Sequence, residues 1–158
     1  MNGLVITNCT KRKRSFRGPA KEIYMGSVRN LFRLAEEMGL HCYVLSAKYG
    51  LIRCDETIEP YDSYVKDLNE MELIELKEKV RRRCNEVRGP WDLVITNLSS
   101  SYAPLLDCEI VTERALIIGT RPPKLSSSQE VAYSFKTLGE RNKLLGNVRE
   151  LLSNLLSS

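Results

Sequence analysis

Leu93-Val94-Ile95-Thr96-Asn97 repeats Leu4-Val5-Ile6-Thr7-Asn8 residue for residue. Each copy is a short run of branched apolar residues that ends in a polar pair. Continuous apolar runs of this length read as strands buried on both faces, and such strands belong to parallel sheets covered by helices. Two of them would each deliver Thr-Asn to the same edge of the sheet. In an open α/β sheet that carboxyl edge, where strand order reverses, is where ligands bind. The echo therefore predicts that Asn8, Ser46 and Asn97 line one crevice.

Outward from these strands the helical spacing of Val28, Leu31, Phe32, Ala35 and Met38, closed by Gly39, predicts a first helix. His41 to Ser46 follows as a second strand, completing a right-handed strand-helix-strand unit. The stretch 53–67 reads as irregular and acidic. From about Leu68 to Val87 a long helix is expected, with Leu73, Ile74, Lys77, Val80, Cys84 and Val87 on one face, and Gly89-Pro90 stops it. Ala115–Gly119 is the better candidate for a fourth strand than Glu109–Thr112. A helical stretch over about 128–138 and an amphipathic helix from Leu144 to Leu156 complete the chain. The expected architecture is an α/β three-layer sandwich, a mostly parallel sheet of about four strands flanked by helices, and it forms one domain over residues 1–158.

Composition agrees with a globular chain. Of 158 residues, 42% are apolar and 28% charged, which excludes disordered and fibrous classes. The formal charge of +4 favours anionic partners only mildly; its distribution says more, because Lys11, Arg12, Lys13, Arg14 and Arg17 crowd one loop. The five cysteines, at 9, 42, 54, 84 and 108, are odd in number and include no Cys-x-x-Cys pair. That spacing argues against a disulfide framework and a zinc site and points to a reduced, cytoplasmic setting. His41 is the sole histidine, so no histidine metal centre is expected, and no apolar run reaches the ~18 residues of a membrane span. No cofactor is expected either, since neither Gly-x-Gly-x-x-Gly nor Gly-x-x-x-x-Gly-Lys-Ser/Thr occurs.

Chemistry concentrates in the loops after the strands. Ser46-Ala47-Lys48-Tyr49-Gly50, then Asp55 and Ile58-Glu59-Pro60-Tyr61-Asp62, carry more functional groups than a connector needs. A lysine directly after a buried strand can be partly desolvated, which makes Lys48 a candidate nucleophile or proton carrier; pairing with Asp55, Glu59 or Asp62 is the equally weighted structural reading. Asp55 and Asp62 are the candidate proton-transfer groups. Asn8, Cys9, Thr10, Lys11 and Lys13, with Ser46, Tyr49, Gly50 and Asn97, form a candidate set of ligand holders suited to a phosphate. Cys9 beside Lys11 and Lys13 reads either as a reactive thiol or as packing. Tyr24 and Tyr61 offer faces on which a base could stack, or serve as core aromatics. The expected partner is a nucleotide or nucleic acid. The rival reading is a non-catalytic RNA- or DNA-binding module built on the basic loop 11–17.

These residues carry a resemblance. Cys9-Thr10-Lys11-Arg12-Lys13, Ala20-Lys21-Glu22-Ile23-Tyr24, Ser46-Ala47-Lys48-Tyr49-Gly50-Leu51, Asp55 and Ile58-Glu59-Pro60-Tyr61-Asp62 resemble, in order, the motifs of a bacterial and archaeal family of unknown function. More distantly the arrangement is similar to a domain of archaeosine synthase, which modifies a deazaguanine base in transfer RNA; Asn8 stands where that domain has proline. The resemblance implies a sandwich akin to uracil-DNA glycosylases and a role connected with nucleic-acid bases. It does not imply glycosylase activity, since Asn8-Cys9-Thr10 has no carboxylate to activate water.

Overall fold

The computed structural model describes residues 1–158. Six strands form one sheet: β1 (Gly3–Asn8), β2 (His41–Ser46), β3 (Gly50–Arg53), β4 (Trp91–Leu98), β5 (Ile110–Gly119) and β6 (Leu125–Tyr133), in the order β3-β2-β1-β4-β5-β6. All neighbours are parallel except β2 and β3, which form a hairpin. The chain leaves β1 through helix α1 (Arg29–Met38) to β2 on one side. It then returns through helix α2 (Glu70–Arg81) to β4 on the other. Strand order thus reverses between the carboxyl ends of β1 and β4.

Alternation along the strands divides the core in two. Val5, Leu93, Ile95, Leu116 and Ile118 pack with Leu31, Leu34 and Ala35 of α1. The same cluster takes in Leu145 of helix α3 (Leu138–Gly146) and Leu152 and Leu155 of helix α4 (Val148–Leu156). Leu4, Ile6, Val94, Ala115 and Ile117 face the other way, into a cluster with Leu76 and Val80 of α2. Both faces of the sheet are covered, as its apolar runs require. The helix ends follow their local chemistry. Gly39, with φ +64°, takes the left-handed conformation after α1 while Leu40 N–H donates back to Ala35 O at 2.8 Å. Asn69 and Glu72 close a reciprocal capping box at the start of α2.

Several expectations are corrected. The sheet has six strands rather than four. Gly50–Arg53 is a strand, not part of a loop, and 110–119 is one strand of 10 residues rather than two candidates. Residues 125–133 form β6 where a helix was expected over 128–138; their burial alternates strictly, with Leu125, Ser127, Gln129, Val131 and Tyr133 inward. Period two was present in the sequence, but at small polar positions that carry little hydropathy contrast. Only residues 120–124, with Pro122 and Pro123 among them, return the chain from β5 to β6. Helix α2 ends at Arg81, and Ile74, assigned to its buried face, is 59% exposed, while Leu76 takes the core position. The C-terminal helix is two helices meeting at Asn147.

The cysteines are the largest correction. Cys42 and Cys54 form a disulfide with Cα atoms 5.4 Å apart, Cys84 and Cys108 another at 5.1 Å, and Cys9 is free. Spacing along the chain concealed the first pair because the hairpin makes it: Tyr43 pairs with Arg53, so the next residues outward, 42 and 54, stand opposite each other. No helix is long and apolar enough to cross a membrane.

Gly50, φ +77°, sits where α2 crosses β3, and a Cβ there would lie 2.8 Å from Lys79 Cβ. At Gly26, φ +95°, nothing lies within 4 Å. Gly26→Ala should therefore cost about 1 kcal/mol, from backbone strain alone. Gly50→Ala should cost at least ~2 kcal/mol, strain plus overpacking. Urea unfolding of the two variants checks the order, and equal losses would mean that the helix-strand approach is not tight.

Candidate functional site

A crevice of about 320 Å³ opens at the reversal point between β1 and β4. Its walls are the loop Asn8–Arg12 after β1, residues 25–27 ahead of α1, Tyr64 ahead of α2, Ser99 and Tyr102 after β4, and Leu138, Arg141 and Asn142 of α3. Asn8 joins the two strand-end loops: its Oδ1 accepts from Ser99 N–H at 2.8 Å and its Nδ2 donates to Cys9 O at 3.0 Å. Thr10 Oγ1 donates to Arg12 O at 2.8 Å and curls the basic loop back over the opening. Asn97 does not reach the crevice. The echoed strands pair one residue out of step, Leu4 with Val94 and Thr7 with Asn97, so the two asparagines fall on opposite faces of the sheet. Asn97 Nδ2 instead donates to Thr7 Oγ1 at 2.9 Å within the core.

The crevice is cationic and lacks any carboxylate in its lining, to which Lys11, Arg12 and Arg141 contribute. Arg141 is half-buried and its Nε has no hydrogen-bond partner; Ser99 Oγ, in the same wall, is also buried and unpartnered. Burial lowers the Arg141 pKa from its ordinary value, against the opposing pull of Tyr64. Burying the Nε–H of a guanidinium without a partner is costly, because that donor has no water to turn to.

Behind the loop lies a tyrosine cluster. Ser46 Oγ accepts from the amides of Lys48, at 3.2 Å, and Tyr49, at 3.0 Å. With both lone pairs engaged, its proton goes to Tyr61 Oη at 2.7 Å, and Tyr61 in turn donates to Tyr24 Oη at 2.7 Å. Tyr24 is only 1% exposed, so its ring is core rather than a stacking face for a base. The Tyr49 hydroxyl donates to Glu59 O at 3.1 Å and accepts from Glu59 N–H at 3.3 Å, which makes it a strap on the 58–60 loop. Cys9 Sγ donates to Tyr102 Oη at 3.1 Å at the floor of the crevice. Lys13 lies 4.5 Å from the Tyr61 ring centroid; desolvation lowers its pKa, and Cys9 and Asp62 oppose that shift.

Lys48, Asp55 and Asp62 do not converge. Ser46 pairs with Gly50, which puts Lys48 at the tip of the β2–β3 hairpin, exposed, with its ammonium 5.2 Å from the Tyr49 ring centroid. Asp55 follows β3 at the hairpin's other end and pairs with Arg53 at 3.3 Å. Glu59 pairs with Arg17 at 3.2 Å. Asp62 and Lys48 share a separate cleft with Glu72, Glu75 and Lys79, and Asp62 is exposed. Of the sequence-derived set, Asn8, Cys9, Thr10 and Lys11 line the crevice; Lys13, Tyr24, Ser46, Tyr49 and Tyr61 form the frame behind it, and Gly50 is the seat of α2. Sequence reasoning missed Tyr64, Tyr102, Leu138 and Arg141. No motif marks Arg141, which reaches the crevice only through the docking of α3 on α1, where Asn30 Nδ2 donates to Leu145 O at 3.3 Å and Ser27 Oγ to Asn142 Oδ1 at 2.6 Å.

A family model described as a family of unknown function (DUF6884) matches residues 4–113. The match takes in every crevice loop except α3. A search of the curated proteins returns no match.

Burial, and next the charge of Cys9, raise the pKa values of Tyr24, Tyr61 and Tyr102 above the ordinary 10.0. The folded state thus favours the protonated phenols. Their stabilisation is complete below pH 10 and is lost as pH rises beyond it, because the unfolded chain releases those protons first. Stability should fall by roughly 1.4 kcal/mol per pH unit for each such tyrosine, and Tyr24→Phe should make the fall shallower. Urea unfolding across the alkaline range with phenolate absorbance measures this; an unchanged slope in the variant would contradict it. Lys48→Met and Asp55→Ala, by contrast, should stay within about 0.5 kcal/mol of the parent in the same assay at neutral pH.

Proposed function

We propose the role of this chain, which belongs to the DUF6884 family, from the crevice itself: it binds a phosphate-bearing ligand there, a nucleotide or a nucleotide unit of a nucleic acid. The observation that carries this reading is the half-buried Arg141 guanidinium with an unpartnered Nε, set opposite a loop that offers Lys11 and Arg12 and no carboxylate. Arginine forks match phosphate geometry, and ligands of α/β sheets gather where strand order reverses. The likeness of the Cys9 loop to that of archaeosine synthase supports a nucleic-acid base as the other half of the ligand, with Cys9 and Tyr102 as the groups nearest to it. A second reading, an RNA- or DNA-binding surface on residues 11–17, draws support from Phe16, 48% exposed, with the Arg14 guanidinium 5.8 Å from its ring centroid.

Calorimetric titration with inorganic phosphate, nucleoside monophosphates and a single-stranded oligonucleotide tests both. Arg141→Met should weaken nucleotide binding at least ~10-fold, the loss of a charge-assisted pair. Affinity that ignores Arg141 but falls steeply with salt and with charge removal at Lys11 and Arg12 would favour the surface reading instead.

A further inference from the structure

Resting on that reading, we infer that α3 sets the ligand specificity of the crevice: Arg141 holds the anion, and Leu138, one turn earlier, covers a flat apolar ring attached to it. Leu138 is 62% exposed and projects from the lip of the crevice. This exposed aliphatic side chain stands three residues before Arg141 in the same lining. Met25 and Tyr64 supply apolar surface to the same lining. Tyr64 is held in place by edge-to-face contact with Tyr102, centroids 5.8 Å apart, and by the Lys11 ammonium 5.4 Å from its centroid.

The two side chains therefore ask for a ligand that is amphipathic over a short span. It has an oxyanion at one end, paired with Arg141, and a planar heteroaromatic ring at the other, lying under Leu138. A nucleoside monophosphate has that form, whereas inorganic phosphate and ribose 5-phosphate satisfy the arginine alone. Leu138 and Arg141 also lie outside the residues matched by the family model, 4–113, so specificity is added to the matched framework by a helix beyond it.

The test compares calorimetric affinities for ribose 5-phosphate and for purine and pyrimidine nucleoside 5′-monophosphates in the full chain and in Leu138→Ser, Leu138→Met and Arg141→Met. Thermal melts show that each variant is folded. In the parent the monophosphates should bind about 10-fold tighter than ribose 5-phosphate, the contribution of covering a ring with one aliphatic side chain. Leu138→Ser should weaken the monophosphates severalfold more than ribose 5-phosphate, Leu138→Met should keep the advantage, and Arg141→Met should weaken every ligand. Monophosphates that bind no tighter than ribose 5-phosphate, or a Leu138→Ser variant that keeps the full advantage, would overturn the role of Leu138 and leave the phosphate reading standing. Affinities indifferent to Arg141→Met would overturn the phosphate reading, and this inference with it.

Discussion

The one-residue stagger between β1 and β4 is the constraint on which the site depends. Side chains on adjacent strands alternate in step, so pairing Leu4 with Val94 rather than with Leu93 sends two identical pentapeptides to opposite faces. Leu4 joins the cluster containing α2, and Leu93 joins the cluster with α1 and α4. The same offset turns Asn8 toward the crevice, where it clamps two loops, and leaves Asn97 in the core bonded to Thr7. Had the echo been in register, two carboxamides would compete for the same opening and the other face would lack the polar contact that closes its strand ends.

Around that opening the protein holds charge in tension rather than in pairs. Most of its arginines are neutralised close by: Arg83 with Glu56 and Glu86, Arg121 with Glu130, Arg149 with Glu37. Tyr43 shares in the first of these networks, donating to Glu86, and burial pushes its pKa up to about 12. Arg141 has no such acid. The hydrogen-bonded hydroxyls of Ser46, Tyr61 and Tyr24 stand behind the basic loop, with Lys13 over the Tyr61 ring. The crevice lining accordingly holds Lys11, Arg12 and Arg141 with no carboxylate among them.

Legibility from the sequence followed the strength of local signals. β1, α1, β2 and β4 were readable because apolar runs and a glycine stop mark them unambiguously. β6 was not, because Ser126-Ser127-Ser128-Gln129-Glu130 alternates in burial without alternating in hydropathy. The sequence put Asn8 to Lys11 on a strand-end loop, and they line the crevice, whereas Lys48 and Asp55, close in sequence and grouped for that reason, stand at opposite ends of an antiparallel hairpin. The same hairpin hid the Cys42–Cys54 disulfide. Arg141 was out of reach, since its place in the crevice arises from helix docking between residues more than a hundred positions apart, which no window along the chain contains.

The crevice also has an order of assembly. Its floor comes from the first strand and its loop, and its far wall from a helix synthesised after the whole sheet. Domains fold as units while chains emerge N-terminal end first, so for much of synthesis the loop with Cys9 and Lys11 stands without Arg141 and Leu138 opposite. Val5, Leu93, Leu116 and Ile118 meanwhile await the leucines of α3 and α4. The event that buries this second face is the same event that closes the crevice. Closure of the crevice wall and protection of the apolar surface therefore arrive together, in one docking step.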